Sequence, residues 1–126
     1  MVRYLFSAVA AAGLLTAVSG AALADGDAEV GKKVFNKCKI CHAMEAGVNK
    51  VGPSLAGIVG RPAGTVDGFK YSDAMSGSGL TWDTATIDQY LADPKGFIPG
   101  NKMAFVGLKK DEDRANVIAY LQSGGQ

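Results

Sequence analysis

Cys38-Lys39-Ile40-Cys41-His42 decides the reading of this chain, because it holds both cysteines and the single histidine of 126 residues. Two intervening residues set the thiols about one helical turn apart, and an imidazole directly after the second thiol is tied to whatever the thiols hold. Such a Cys-x-x-Cys-His run is the attachment signature of a c-type haem: the thiols bond the porphyrin's vinyl groups and the imidazole reaches the iron from one face. Three other readings compete. A structural zinc site needs four protein ligands, so a second copy or a carboxylate would have to complete it. A thioredoxin-like redox pair belongs beside a βαβ pattern, and none is present. A plain disulfide suits an exported chain but leaves His42 unexplained. Haem attachment uses all three side chains.

Upstream, residues 1–24 read as a secretory leader, with Arg3 as a short basic start, an apolar run over 5–18 and Ala22-Leu23-Ala24 as a small-x-small cleavage site. Cleavage after Ala24 is expected, leaving residues 25–126 as one domain. An uncleaved anchor is the alternative, since 4–24 approaches the length of a bilayer span. Against it, the run is Ala- and Gly-rich, and Asp25 leads straight into a helix-like pattern without a polar tether. Export agrees with the motif, because bacterial haem attachment takes place in the periplasm, where thiol redox state is controlled. A domain of about 100 residues has a small core and gains from a bound group. The chain carries 13 Lys and Arg against 12 Asp and Glu, a net charge of +1. That near-neutrality, with no basic run, excludes a general polyanion or nucleic-acid binder. A lone histidine committed to iron leaves no base for triad hydrolysis, so no enzyme is expected.

The periodicity predicts three main helices. The first runs over 27–39 with Asp27 as N-cap, Val30, Val34 and Cys38 on one face and Gly31 allowing close approach of another helix. The second runs over 83–92, with Ile87, Tyr90 and Leu91 on one face and Pro94 ending it. The last runs over 111–122, capped by Asp111, striped with Val117, Ile118 and Leu121, and halted by Gly124-Gly125. A short turn is expected over 72–76. No stretch alternates over strand length, and 15 of the 17 glycines lie after the leader, mostly in connections such as 57–68. The expected fold is all-α, with short helical turns and long loops wrapped around a porphyrin.

Function then depends on what faces the iron opposite His42. Thioether is the next candidate, and Met44, Met75 and Met103 follow the leader. Met44 is two residues from His42 and confined to its side. Met75 sits in a Ser/Gly-rich turn and reads as a methionine folded over the haem edge. Met103 sits after Pro99-Gly100 in a segment that leaves its helix at Pro94 and can turn one side chain inward, with ordinary core filling as the other reading.

These residues together resemble the class I c-type cytochromes, of the bacterial cytochrome c2 and mitochondrial type. The resemblance covers 27–122 and rests on Gly31 and Phe35, the Cys38 to His42 motif, Val51-Gly52-Pro53-Ser54-Leu55, Gly60-Arg61, Leu80-Thr81-Trp82, Tyr90-Leu91-Ala92-Asp93-Pro94-Lys95, Pro99-Gly100-Asn101-Lys102-Met103-Ala104-Phe105 and Ile118-Ala119-Tyr120-Leu121. It implies His42 and Met103 as iron ligands, the Pro53 carbonyl accepting from the other ring nitrogen of His42, Tyr90 bonding to the Met103 sulfur or its water network, and Trp82, Arg61 and Tyr71 holding buried propionates. Core packing is the alternative for Tyr90 and Trp82, and an ordinary surface charge for Arg61. Asn101 departs from the threonine common in the family, and Gly96-Phe97 from an aromatic or lysine pair.

The resemblance implies a soluble, monomeric periplasmic electron shuttle with one covalent haem, serving a bc1-type donor and a reaction centre or terminal oxidase as acceptor. Lys32, Lys37, Lys39, Lys50, Lys95, Lys102, Lys109 and Lys110 fall in segments it places near the exposed haem edge, as a docking face; solubilising charge is the other reading. A labile sixth ligand would instead give a gas-binding or peroxidatic haem protein.

Overall fold

The computed structural model describes residues 26–125 and Gly13. The leader and its cleavage site otherwise lie outside the described residues. Helix α1 covers Ala28–Val34, where the Asp27 carboxylate accepts from the Glu29 and Val30 amides at 2.8 and 3.2 Å. Glu29 at its start and Lys32 and Lys33 in its last turn complement the helix dipole. The α-helix is shorter than the expected 27–39. It tightens at Phe35–Lys37 into a 3-10 turn. The Cys38 and Lys39 amides both donate to the Phe35 carbonyl, and those of Cys41 and His42 to Cys38. The thiols therefore sit in successive tight turns at a helix exit. On the expected face Val34 and Cys38 pack against the core but Val30 is exposed, and Gly31 and Phe35 are the buried residues.

Helix α2, Asp73–Ser76, is capped by Ser72. Helix α3, Thr84–Ala92, begins with a capping box in which the Asp83 carboxylate accepts from the Thr86 amide and the Thr86 hydroxyl from the Asp83 amide. Pro94 ends α3 and also opens α4, Pro94–Phe97, whose cap is Asp93. Its fixed φ and missing N–H suit the first position of a helix as well as they stop one.

Helix α5 covers Asp111–Gln122, as expected, but Asp111 does not cap it. Lys110 occupies the cap position without a side-chain bond, and the Asp111 carboxylate instead pairs with Arg114 one turn on. Gly124, with φ +75°, stops the helix. Helices α1 and α5 cross in backbone contact: a Cβ on Gly31 would lie 1.9 Å from the Asn116 carbonyl oxygen. The Asp27 amide donates to Asn116 Oδ1 at 2.8 Å across the same crossing, and the Phe35 and Tyr120 rings meet with centroids 5.1 Å apart. Among the described residues there is no strand, only an isolated antiparallel bridge between Pro62 and Thr81 that pins the long connection over 57–68. The core gathers Val117, Ile118 and Leu121 of α5, Ile87 and Tyr90 of α3, and Phe35, Ile58, Trp82, Ile98 and Leu108 from the connections.

Candidate functional site

Most of those connections border one apolar cavity. Cys38, Cys41 and His42 line it, as do Pro53, Arg61, Tyr71, Met75, Trp82, Tyr90 and Met103. Every candidate site residue read from the sequence therefore reaches the same space. Met44 does not: it lies with His42 and Gly125 along a separate outer cleft, on the side where its closeness to His42 confines it.

The imidazole is fixed from behind. His42 Nδ1 donates to the Pro53 carbonyl at 2.8 Å, leaving the Nε2 lone pair as the free acceptor. Burial pushes the His42 pKa down, and the Pro53 bond opposes that shift, so the ring is neutral at neutral pH. Gly52 presses on the ring, and a Cβ there would sit 2.3 Å from His42 Cε1. The Gly52 amide donates to the Cys41 carbonyl at 2.8 Å. Any side chain at 52 would push the imidazole off its position.

The loop that offers Pro53 is itself braced. Buried Ser54 donates its hydroxyl to the Glu45 carbonyl at 2.6 Å and its amide to Asn49 Oδ1 at 3.0 Å. Arg61 donates to the Ser54 and Ala56 carbonyls at 3.0 and 3.1 Å. Arg61 is thus no ordinary surface charge. Two of its five N–H groups tie down the 53–56 loop, and burial lowers its pKa. Tyr71 accepts at its hydroxyl from the Val66 amide at 3.1 Å, which leaves its proton to be donated. Trp82 is buried against Tyr90, with ring centroids 5.0 Å apart.

On the Met103 side, the Tyr90 hydroxyl lies 3.7 Å from the Met103 sulfur. Burial raises the Tyr90 phenol to about 12, which keeps it a hydrogen-bond donor. Sequence reasoning treated Asn101 only as a departure from the family pattern. In the structure it is buried and organises the segment that carries Met103. Arg114 and Asp88 were also missed. The Arg114 guanidinium donates to Asp88 Oδ1 at 2.8 Å and to the Leu108 carbonyl at 2.7 Å, and the Asp88 carboxylate, with Asp111 beside it, raises its pKa. A polar side chain recurring on the otherwise apolar stripe of α5 was the available signal.

The lysines stand less free than the sequence suggests. Lys95 donates to the Asn101 carbonyl at 2.9 Å, Lys50 to the Lys39 carbonyl at 2.6 Å, and Lys109 to the Ala92 and Val106 carbonyls at 3.4 Å. Lys102 reaches the Lys70 carbonyl and lies 4.9 Å from the Phe69 ring centroid.

The donor set suits a haem. The walls are apolar, two thiols line the space, and the Cys38 thiol is pushed up to about 11 by burial. An all-α domain wrapped around such a slot is the fold of the class I c-type cytochromes. The family model for cytochrome c matches residues 28–125. The chain is 65% identical over 89 residues to cytochrome c2 iso-2 of Magnetospirillum fulvum, covering 71% of this chain and 93% of that relative. It is 51% identical over 114 residues to cytochrome c2 of Rhodomicrobium vannielii, covering 90% and 91%. The solved structure of cytochrome cH from Methylobacterium extorquens matches with a TM-score of 0.74 at 48% identity, covering 78% of this chain and 99% of that one. The chain belongs to the cytochrome c family. It is a c2-like electron carrier with one covalently attached haem c.

Proposed function

We propose that the chain is a soluble periplasmic one-electron shuttle in which Cys38 and Cys41 would hold the haem and His42 Nε2 and Met103 Sδ would ligate its iron. The observation that carries this reading is the convergence of both thiols, the back-bonded imidazole and the Met103 thioether on one apolar cavity. The haem, when bound, supplies a reversible ferrous–ferric couple, which a thioether ligand and a water-poor pocket bias toward the ferrous form. The protein's part is positional. Pro53 and Gly52 hold the ring of His42, Tyr90 and Asn101 hold the Met103 segment, and Arg61, Tyr71 and Trp82, which line the same cavity, would hold the propionates. Fixed ligands keep reorganisation small, as a carrier with no enzymatic step of its own requires.

The partners proposed are a bc1-type complex as donor and a photosynthetic reaction centre or terminal oxidase as acceptor, met by a monomer through the lysine-bearing face. The leader is proposed to be removed after Ala24. The test is the protein purified from a periplasmic fraction. It should begin at Asp25, keep its haem in acidified acetone, and show a low-spin ferric spectrum with a methionine-to-iron charge-transfer band. Met103→Ala should abolish that band and give a high-spin or exchange-labile iron, while Met75→Ala leaves it. The reverse pattern defeats the ligand assignment. A wild type without the band is the gas-binding or peroxidatic alternative.

A further inference from the structure

Asn101 is 4% exposed and uses its whole side-chain amide. Nδ2 donates to the Pro94 and Ile98 carbonyls, both at 2.8 Å. Oδ1 accepts from the Met103 amide at 2.9 Å and from the Tyr90 hydroxyl at 3.3 Å. The orientation is dictated by these neighbours, since exchanging O and N would set the oxygen against two carbonyls and the nitrogen against an N–H donor. Tyr90 has one proton, and two acceptors stand within its reach: Asn101 Oδ1 and, at 3.7 Å, Met103 Sδ. A carbonyl oxygen is the stronger acceptor and a thioether sulfur a weak one. Tyr90 is itself buried, so bulk water does not relieve the competition.

We propose that Asn101 is a positioning residue for the redox centre: its amide oxygen draws the Tyr90 proton away from the Met103 sulfur and so sets how strongly the thioether donates to iron. The inference rests on the reading of Met103 as an iron ligand. A proton held on the sulfur withdraws electron density from it and favours ferrous iron; a proton held on Asn101 leaves the sulfur the better donor. The residue at 101 is then the tuning position, with Tyr90 as its intermediary. A threonine there has one hydroxyl, ends a bond short of Oδ1, and cannot bind both carbonyls and both donors.

The test is a double-mutant cycle on the holoprotein, read as the equilibrium constant for electron exchange with a reference couple. Asn101→Thr should shift that equilibrium toward ferrous by about threefold, the scale of one redirected hydrogen bond. In the Tyr90→Phe background the same substitution should shift it by less than about 1.5-fold, because the shared proton is gone. A shift of equal size in both backgrounds, or none in either, overturns the proposal. Proton NMR of the wild-type ferrous holoprotein supplies a measurement that no misfolded variant can spoil. The Tyr90 hydroxyl proton should give its stronger cross-peak to the Asn101 side chain, and a stronger one to the Met103 methyl group overturns the proposal. Failure of the underlying reading is distinct: it would appear as a wild-type ferric spectrum lacking the charge-transfer band.

Discussion

The crossing of α1 and α5 and the 94–110 segment that carries Met103 are both close-packed, yet they are held by different means. At the crossing, backbone meets backbone. Gly31 lies against the Asn116 carbonyl, and one side-chain bond joins residues 89 positions apart. In the 94–110 segment there is little regular structure, and side chains satisfy backbone groups instead. Asn101 binds the Pro94 and Ile98 carbonyls, Lys95 the Asn101 carbonyl, and Arg114 the Leu108 carbonyl. A helix crossing tolerates no added volume but needs few specific polar groups. A loop of this kind tolerates volume at its rim, yet each buried amide or guanidinium that is lost leaves carbonyls unpaired. The frame is thus sensitive to size, and the ligand-bearing loop to hydrogen bonding.

The largest effect expected is at the crossing. Gly31→Val places carbon atoms inside the Asn116 carbonyl, which is backbone and cannot swing aside, so the holoprotein should lose about 3 kcal/mol or more in a denaturant titration. A loss under about 1 kcal/mol would show that the helices slide apart cheaply, and the contrast would break. Arg114→Ala should cost somewhat less, about 2–4 kcal/mol, because it strips Asp88 and the Leu108 carbonyl of their partner. Its effect should also be uneven. Hydrogen-exchange protection at the Leu108 amide, which donates to the Leu91 carbonyl, should fall further than protection within α1. Uniform loss would mean that Arg114 supports the whole domain rather than the loop's exit.

Smaller effects distinguish tied lysines from untied ones. Lys37 and Lys39 donate no side-chain hydrogen bond to a described residue, whereas Lys95 is a strut of the Met103 segment. Charge reversal at Lys37 or Lys39 should slow electron transfer to a membrane partner severalfold at low salt. The difference should fade as the screening length drops below about 10 Å, with the charge-transfer band unchanged. Lys95→Glu should slow transfer and also weaken the band, because it removes the strut on the Asn101 carbonyl. If all three variants leave the salt dependence as in wild type, docking is apolar and the lysines only solubilise the protein.

Several features were legible before the fold was known because each depends on local chemistry. The cap at Asp27 follows from a short polar side chain beside a helix-forming run, and the turn over 72–76 and the helix from 83 follow from local residue pattern. Asp111 misled because Arg114, one turn later, offers its carboxylate a charged partner that a cap amide cannot match. Val30 misled because α1 meets α5 through Gly31, whose missing side chain admits the Asn116 backbone, and that contact buries Gly31 and Phe35 rather than Val30. Lys102 read as a free charge because nothing in the sequence says that the Lys70 carbonyl lies within reach.

By itself the sequence determined the haem motif, the order and nature of the helices, and the candidates His42 and Met103, since spacing and residue chemistry are properties of the chain. Only the tertiary structure decided that Arg61 ties down the loop behind the imidazole, which lysines are committed to struts, and that Asn101 stands between Tyr90 and Met103. Those depend on how loop segments fold back on one another, often within a dozen residues along the chain. Hydrogen bonds select among partners by distance and direction, which a linear pattern does not contain.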